Sequence, residues 1–344
     1  MSVFGTSSTP WLGAGRAAAT SRKAEHLRIA AGPGVDHTVS SGLDAVRLRH
    51  RALPGRDLAD VDLSVDLLGV RLDAPLIVSA MTGGTPEAEA INSRLARAAA
   101  EHGIALVLGS GRSLLADPAL RRTYRSDARP PLLLANLGVA QLASADTGPR
   151  LVELLGADGL SVHLNPIQEA VQPEGQPQFA RAAELIAAMV SRLAPLPVIV
   201  KEVGFGMDGA DVAILRDAGV AAIDVAGAGG TNWALVEGRR DAAAGAVAEA
   251  FAGWGVPTRD ALLAAREVAP GLPIIASGGL RDGVDAARCL ALGATAVGLA
   301  RQLLIAAQDD RASEVVGTLV AQLRIATWAA GAAGATQLGA EHLR

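Results

Sequence analysis

From residue 75 onward the chain repeats one unit. A short run of Val, Ile and Leu ends in small or polar residues, and an alanine-rich amphipathic stretch follows. The runs cover 75–81, 105–110, 132–138, 159–165, 197–204, 221–226, 273–279 and 296–301. Near-continuous apolar strands are buried on both faces, which marks a parallel sheet covered by helices. Helices are predicted over 86–102, 179–193, 258–268 and 284–292. Thr85-Pro86 opens the first, Thr258 is read as the cap of the third, and Gly293 stops the last. Eight βα units predict an α/β fold, a (β/α)8 TIM barrel over 75–335, with its site at the C-terminal ends of the strands. An open doubly wound sheet is the competing arrangement.

The rest of the chain is assigned around that barrel. Residues 1–20 read as a flexible tail, 21–74 as an N-terminal extension and 336–344 as a C-terminal tail. The alternation Val61-Asp62-Leu63-Ser64-Val65-Asp66-Leu67 predicts a half-exposed strand, one arm of a hairpin over the barrel base. Residues 227–257 form a long loop after the sixth strand, of the kind used for lids and binding. A net charge of −4 argues against a globally basic nucleic-acid binder. The single cysteine, Cys289, excludes an intramolecular disulfide and a multi-cysteine zinc site, and suits a reducing cytoplasm. No apolar run approaches the roughly 20 residues of a membrane helix.

Functional groups are expected where the apolar runs stop. Ser277-Gly278-Gly279 and Gly298-Leu299-Ala300-Arg301 end the seventh and eighth runs. Loops at these positions form the common phosphate site of such barrels, and Arg301 adds charge-assisted bonds. Lys201 continues a buried strand and points into the barrel mouth or is paired there. It suits either a Schiff base or the electron-rich end of a cofactor ring. A bridge to Glu202 is disfavoured, because adjacent strand residues face opposite ways. His163, Asn165, Gln168 and Glu169 gather imidazole, amides and a carboxylate around one strand end. Glu169 suits a hard cation such as Mg2+, or general-base work.

Taken together these residues resemble the type 2 isopentenyl-diphosphate isomerases, FMN enzymes, over about residues 21–335. The motifs are Arg-Lys-Ala-Glu-His (22–26), His-Arg-Ala-Leu-Pro (50–54), Ala-Met-Thr-Gly-Gly (80–84), His-Leu-Asn-Pro-Ile-Gln-Glu (163–169), Val-Lys-Glu-Val-Gly (200–204), Gly-Gly-Thr-Asn-Trp (229–233) and Ser-Gly-Gly-Leu-Arg (277–281). The resemblance implies isomerisation of isopentenyl to dimethylallyl diphosphate in isoprenoid biosynthesis. Reduced FMN would be the working cofactor, with Mg2+ on the diphosphate and NADPH as reductant. It implies that Ala80, Met81, Thr82, Ser110, Asn136, Lys201 and Thr231 contact the flavin and its ribityl chain. Gly279, Leu280, Arg281, Ala300 and Arg301 would surround its phosphate. Arg22, Lys23, Ser110, Arg112 and His163 would hold the diphosphate or its surroundings. Gln168 would line the isoprene site, Glu169 would bind the metal, and Gln168 and His163 are the candidate catalytic side chains. The reduced flavin, rather than His163, would move the proton. A homo-oligomer, tetrameric or octameric, is implied, with no nucleic-acid or membrane partner.

Four positions depart from the family pattern. Ser161 and Gly111 each stand where Gln is usual, Ala226 where Ser is frequent, and Ala228 where a basic or polar residue is usual. Two other readings compete. An FMN-dependent oxidoreductase of the hydroxy-acid kind needs a base on a late loop, yet there is no histidine between His163 and His342. A dehydrogenase barrel of the inosine-monophosphate type needs a loop cysteine, whereas Cys289 falls mid-helix. The other reading is a non-catalytic flavin-binding paralogue.

Overall fold

The computed structural model describes residues 16–344. It opens with helix α1 (Arg16–Ala31), so the boundary expected at residue 20 falls inside a helix, and residues 1–15 lie outside the described residues. Next comes the hairpin β1 (Val65–Leu67) and β2 (Val70–Leu72). Leu68 and Gly69 turn it with φ of 53° and 80°, the two positive values of a type I′ turn.

The repeat then runs β3 (Leu76–Val78), α2 (Pro86–Glu101), β4 (Ala105–Val107), α3 (Arg112–Ala116), β5 (Leu133–Gly138) and α4 (Thr147–Leu155). It continues with β6 (Gly159–Leu164), α5 (Pro166–Val171), α6 (Ala182–Leu193), β7 (Val198–Glu202), α7 (Gly209–Asp217) and β8 (Ala222–Asp224). After β8 the long loop folds into α8 (Trp233–Arg240) and α9 (Ala242–Glu249), before α10 (Thr258–Val268). The chain closes with β9 (Ile274–Ser277), α11 (Gly283–Ala291), β10 (Ala296–Leu299), α12 (Arg301–Gln308) and α13 (Ala312–Ala330).

Strands β3 to β10 form a closed parallel barrel in which β10 pairs with β3, so closure is observed and the open sheet is not. Each observed strand lies within its predicted run. The runs overshoot at their C-terminal ends because those last residues leave the ladder to build loops.

Side-chain alternation sorts the strands into two cores. Val78, Leu106, Leu137, Val162, Val200, Ile223, Ala276 and Val297 join the large cluster that includes helix residues. Ile77, Val107, Leu134, Ile199, Ala222, Ile275 and Ala296 form the other, together with Val65, Leu67 and Leu72 of the hairpin. The hairpin therefore plugs the base of the barrel, as its alternation suggested. One turn further along the inward register the residues become polar: Ser79, Asn136, Ser161, His163, Lys201, Asp224 and Ser277, all but His163 buried. The barrel interior is thus apolar at the bottom and polar at the top.

Two sequence expectations change. The proposed cap Thr258 does not cap α10, whose N-cap is Pro257. Its hydroxyl instead donates to the Gly278 carbonyl at 2.6 Å, fixing the glycine turn after β9. Residues 336–344 pack back onto the N-terminal extension through a Leu48–Leu343 bridge and an Arg344 N–H to Arg47 carbonyl bond of 2.9 Å. Among the described residues, no helix is long and apolar enough to cross a membrane.

Candidate active site at the strand C-termini

A cavity of about 620 Å³ opens at the polar end of the barrel, within the size range of small-molecule sites. Every candidate named for flavin, diphosphate, metal or proton transfer lines it. Helix α1 packs against α8 and α12, and its Leu27 and Ala30 form part of the cavity wall.

The floor carries fixed charge. Lys201 faces inward, and its ammonium donates to the Glu202 carbonyl. Glu202 faces outward and accepts from the N–H groups of Val203, Gly204 and Phe205 at 2.6, 2.6 and 2.5 Å. The two side chains part as strand alternation requires. Burial nevertheless pushes the Glu202 carboxyl up to about 7. Asp224, which the sequence reading missed, stands beside Lys201 in the strand register and accepts from Ser277 Oγ at 2.6 Å.

His163 Nδ1 lies 3.1 Å from Asn136 Oδ1. Burial, then the charges of Lys201 and Lys23, drives its pKa down to about 3, so the ring is neutral. Between that value and the ordinary 6.5, the unfolded chain takes up a proton that the folded one refuses. Stability is therefore expected to fall as pH falls through this window. Between pH 6.5 and 5 the loss is roughly 2 kcal/mol. Chemical denaturation of the cofactor-free protein checks it, and His163→Asn should abolish that part of the pH dependence.

On the other side of the mouth, Asn165 Nδ2 donates to Gln168 Oε1 at 3.0 Å and to Glu169 Oε1 at 3.1 Å. The other Glu169 oxygen accepts from Gln176 N–H at 2.6 Å. Gln168 Nε2 donates to Glu237 Oε1 at 2.7 Å. Glu237 lies on α8, fully buried, and also meets His26 Nε2 at 2.9 Å and Arg240 Nη1 at 2.5 Å. Burial alone would raise its pKa, but these partners hold the carboxyl below the ordinary range. The His26 ring stands edge-on to Trp233, with centroids 5.5 Å apart. Glu237 escaped the sequence reading because it sits in the long loop's helix, 69 residues from Gln168.

The basic N-terminal motif divides. Arg22 pairs with Glu174 at 3.3 Å. Arg112 makes no ion pair among the described residues, and burial and then the charge of Arg22 lower its pKa. Arg22 and Arg112 thus bring two guanidinium groups to the cavity lining. Lys23 is engaged elsewhere. Its ammonium donates to the Gly83 and Ser110 carbonyls (2.7 and 3.0 Å), Ser113 Oγ (2.8 Å) and Tyr124 OH (2.9 Å). Burial, then Arg22 and Arg112, pulls it down to about 7. It pins α1 to the loops after β3 and β4.

The opposite end is built from glycine. Gly278 and Gly279 have φ of 99° and 71°, and a Cβ on Gly279 would lie 2.5 Å from the Gly229 carbonyl. Arg281 and Arg301 both line the cavity, but their guanidinium groups are held by carboxylates. Arg281 pairs with Asp44 (2.6 Å) and Asp285 (2.8 Å), and Arg301 with Asp36 (2.5 Å).

The four departures have packing consequences. A Cβ on Gly111 would lie 2.5 Å from Leu151 Cδ1, so a longer side chain there requires Leu151 to move. Ala228 is fully buried, with no water for a charge, and Ala226 holds a φ of 36°. Ser161 Oγ is buried without a hydrogen-bond partner among the described residues.

The closed parallel barrel thus carries a glycine turn after its seventh strand, an inward lysine and two arginines at its polar mouth. The family model of FMN-dependent dehydrogenases matches residues 26–118 and 130–344. An isopentenyl-diphosphate delta-isomerase of Stutzerimonas stutzeri is 48% identical, covering 91% of this chain and 93% of its own. That of Xanthobacter autotrophicus is 48% identical, covering 93% and 95%. In fold the chain is similar to a mandelate oxidase mutant with a monooxide FMN adduct (TM-score 0.60, 19% identity, 97% and 94% covered). It is likewise similar to a flavocytochrome b2 variant with sulfite bound (TM-score 0.65, 20% identity, 89% and 77% covered). The chain belongs to the FMN-dependent dehydrogenase family and, within it, to the FMN-dependent type 2 isopentenyl-diphosphate delta-isomerases.

Proposed function

We propose that this enzyme converts isopentenyl diphosphate to dimethylallyl diphosphate in this cavity with reduced FMN. The observation that carries the proposal is the convergence of two separate anion sites on one polar barrel mouth. Arg22 and Arg112 lie at one end, and the Gly278-Gly279 turn with the first turn of α12 lies at the other. Arg22 and Arg112 would hold a substrate diphosphate, and the Gly278-Gly279 turn with the first turn of α12 would hold a cofactor phosphate. The cradle fits a planar ring. Gly298 lets Ser79 pack against the last strand, since a Cβ there would lie 2.4 Å from Ser79 Oγ, and that buried hydroxyl has no partner among the described residues.

Reduced FMN supplies, when bound, an electron-rich ring that stabilises a tertiary cation on the protonated alkene and exchanges its proton. The chain's own groups hold everything else. Lys201 would supply positive charge to the electron-rich end of the flavin. Gln168, clamped by Asn165 and Glu237, lines the isoprene side. His163 is neutral and a poor acid, and it orients Asn136. Arg22 and Arg112 take the diphosphate. Glu169 is one carboxylate beside that site, and no group of three or more His, Cys, Asp or Glu stands ready for a metal among the described residues. Glu169 would supply one carboxylate to Mg2+, which binds through one or two carboxylates plus substrate phosphate oxygens. NADPH is the proposed reductant.

Purified protein is expected to be yellow and to exchange isopentenyl diphosphate protons with D2O only after flavin reduction, with Mg2+ present. Protein that binds no added FMN and exchanges no protons sinks the proposal. Stoichiometric flavin reduction by an organic substrate would support an oxidoreductase instead.

A further inference from the structure

One carboxylate at the cavity mouth is shared between two arginines. Glu174 stands in the loop between α5 and α6, and its Oε1 meets Arg22 Nη1 at 3.3 Å and Arg240 Nη2 at 3.0 Å. The loop is tied back onto α5 on either side of it. The Gly175 N–H donates to the Gln172 carbonyl at 2.9 Å, and the Gln176 N–H donates to Glu169 Oε2 at 2.6 Å. A Cβ on Gly175 would lie 1.8 Å from the Glu169 carbonyl, so the turn closes this tightly only with glycine there. Burial works to raise the Glu174 pKa, but its own backbone N–H and the charges of Arg240 and Arg22 hold it below the ordinary range. The carboxylate is therefore ionised near neutral pH.

The two arginines differ in what else holds them. Arg240 also pairs with Glu237 at 2.5 Å and with Glu25 at 3.4 Å. Arg22 has a neutral second partner. The Gln172 amide, oriented with its nitrogen toward Glu237 at 3.1 Å, offers its oxygen to Arg22 Nη1 at 3.3 Å. Arg112 also feels Glu174: burial and then Arg22 lower its pKa, and the charges of Glu169 and Glu174 act against them. The charge of Glu174 thus reaches both arginines of the proposed diphosphate site.

We propose that Glu174 is the internal counter-ion of that site: the diphosphate displaces it from Arg22, and Glu174 then pairs with Arg240 alone. The inference rests on the diphosphate reading above and adds a residue that sets how tightly the group is held. At 3.3 Å, with the Glu174 side chain 41% exposed, the contact to Arg22 is long for a charge-assisted bond, and releasing it costs little. Glu174 keeps a charged partner after the exchange, and Gln172 still holds Arg22 in place. Substrate and product carry the same diphosphate, so a site that gripped it too strongly would be slow to clear. A carboxylate that competes for Arg22 limits that grip.

The test is calorimetric titration of the FMN-loaded protein with inorganic pyrophosphate, with and without Mg2+, for wild type, Glu174→Gln, Arg22→Gln and the double variant. Glu174→Gln keeps the volume and removes the charge. It is expected to bind pyrophosphate about fivefold more tightly in both conditions, the upper end for one exposed ion pair, and the gain should shrink as salt is raised. In the Arg22→Gln background the same substitution should change affinity by less than about twofold, because the two residues act as a pair. Unchanged or weaker binding in Glu174→Gln, or an equal gain without Arg22, overturns the role of Glu174 and leaves the diphosphate reading standing. Weaker binding confined to the Mg2+ titration makes Glu174 a metal ligand and likewise overturns it. A wild type that binds no pyrophosphate in either condition overturns both.

Discussion

Glu237→Leu is expected to unfold at a free energy roughly 3 kcal/mol below wild type in urea denaturation, a cost typical of breaking a buried charged cluster from one side. The carboxylate has no exposed surface and serves His26, Gln168 and Arg240 together. Removing it takes the shortest of three carboxylate partners from the Arg240 guanidinium, which keeps Glu25 and Glu174, and releases the buried His26 and Gln168 contacts. A second readout separates architecture from positioning. Glu237→Gln keeps the volume and one acceptor, so it should recover most of the stability. It should still lower kcat about tenfold, because the amide of Gln168 then faces another amide rather than a charge. Full activity in Glu237→Gln would show that Gln168 needs no charged anchor.

Glu169→Gln should lower kcat/KM roughly a hundredfold, about 3 kcal/mol of transition-state stabilisation, through metal and diphosphate handling. FMN affinity should be unchanged. Glu169 lies on α5 beside Asn165 and the Gln176 backbone, whereas the proposed flavin phosphate end is at Gly278, Gly279 and α12. Raising Mg2+ should partly restore the rate in this variant. Loss of flavin would contradict the assignment, and so would a fall in rate that no metal concentration relieves.

Much of the fold was legible because its signals are local. An apolar strand buried on both faces needs a run of Val, Ile and Leu whatever its neighbours are. The glycines after β9 must allow positive φ, and Gly278 and Gly279 do. Strand parity alone separated Lys201 from Glu202. Polar residues at strand ends pointed to the barrel mouth, and the side chains at those ends do line one cavity.

Other features could not be read this way. Lys23 lines the cavity as the sequence reading expected, and the structure adds contacts to Gly83, Ser110, Ser113 and Tyr124, partners up to 101 residues away, that no local pattern shows. Thr258 looks like a helix cap, yet it serves a turn 20 residues on. In both cases the deciding contact exists only after the barrel has closed.

The sequence by itself determined the repeating βα unit, the basal hairpin, the residues at the eight strand ends and the family to which they point. Strand propensity, side-chain alternation and glycine conformation act within a few residues of chain. Only the tertiary structure decided which charges are free. It showed Arg112 without an ion pair among the described residues while Arg22 meets Glu174, and Arg281 and Arg301 held by Asp44 and Asp36. It showed Glu237 fixing Gln168. The physical reason is that burial and ion pairing depend on what closure brings within a few ångströms. Residues 36 and 301, or 168 and 237, become neighbours only when β10 pairs with β3 and the N-terminal segment folds over the mouth.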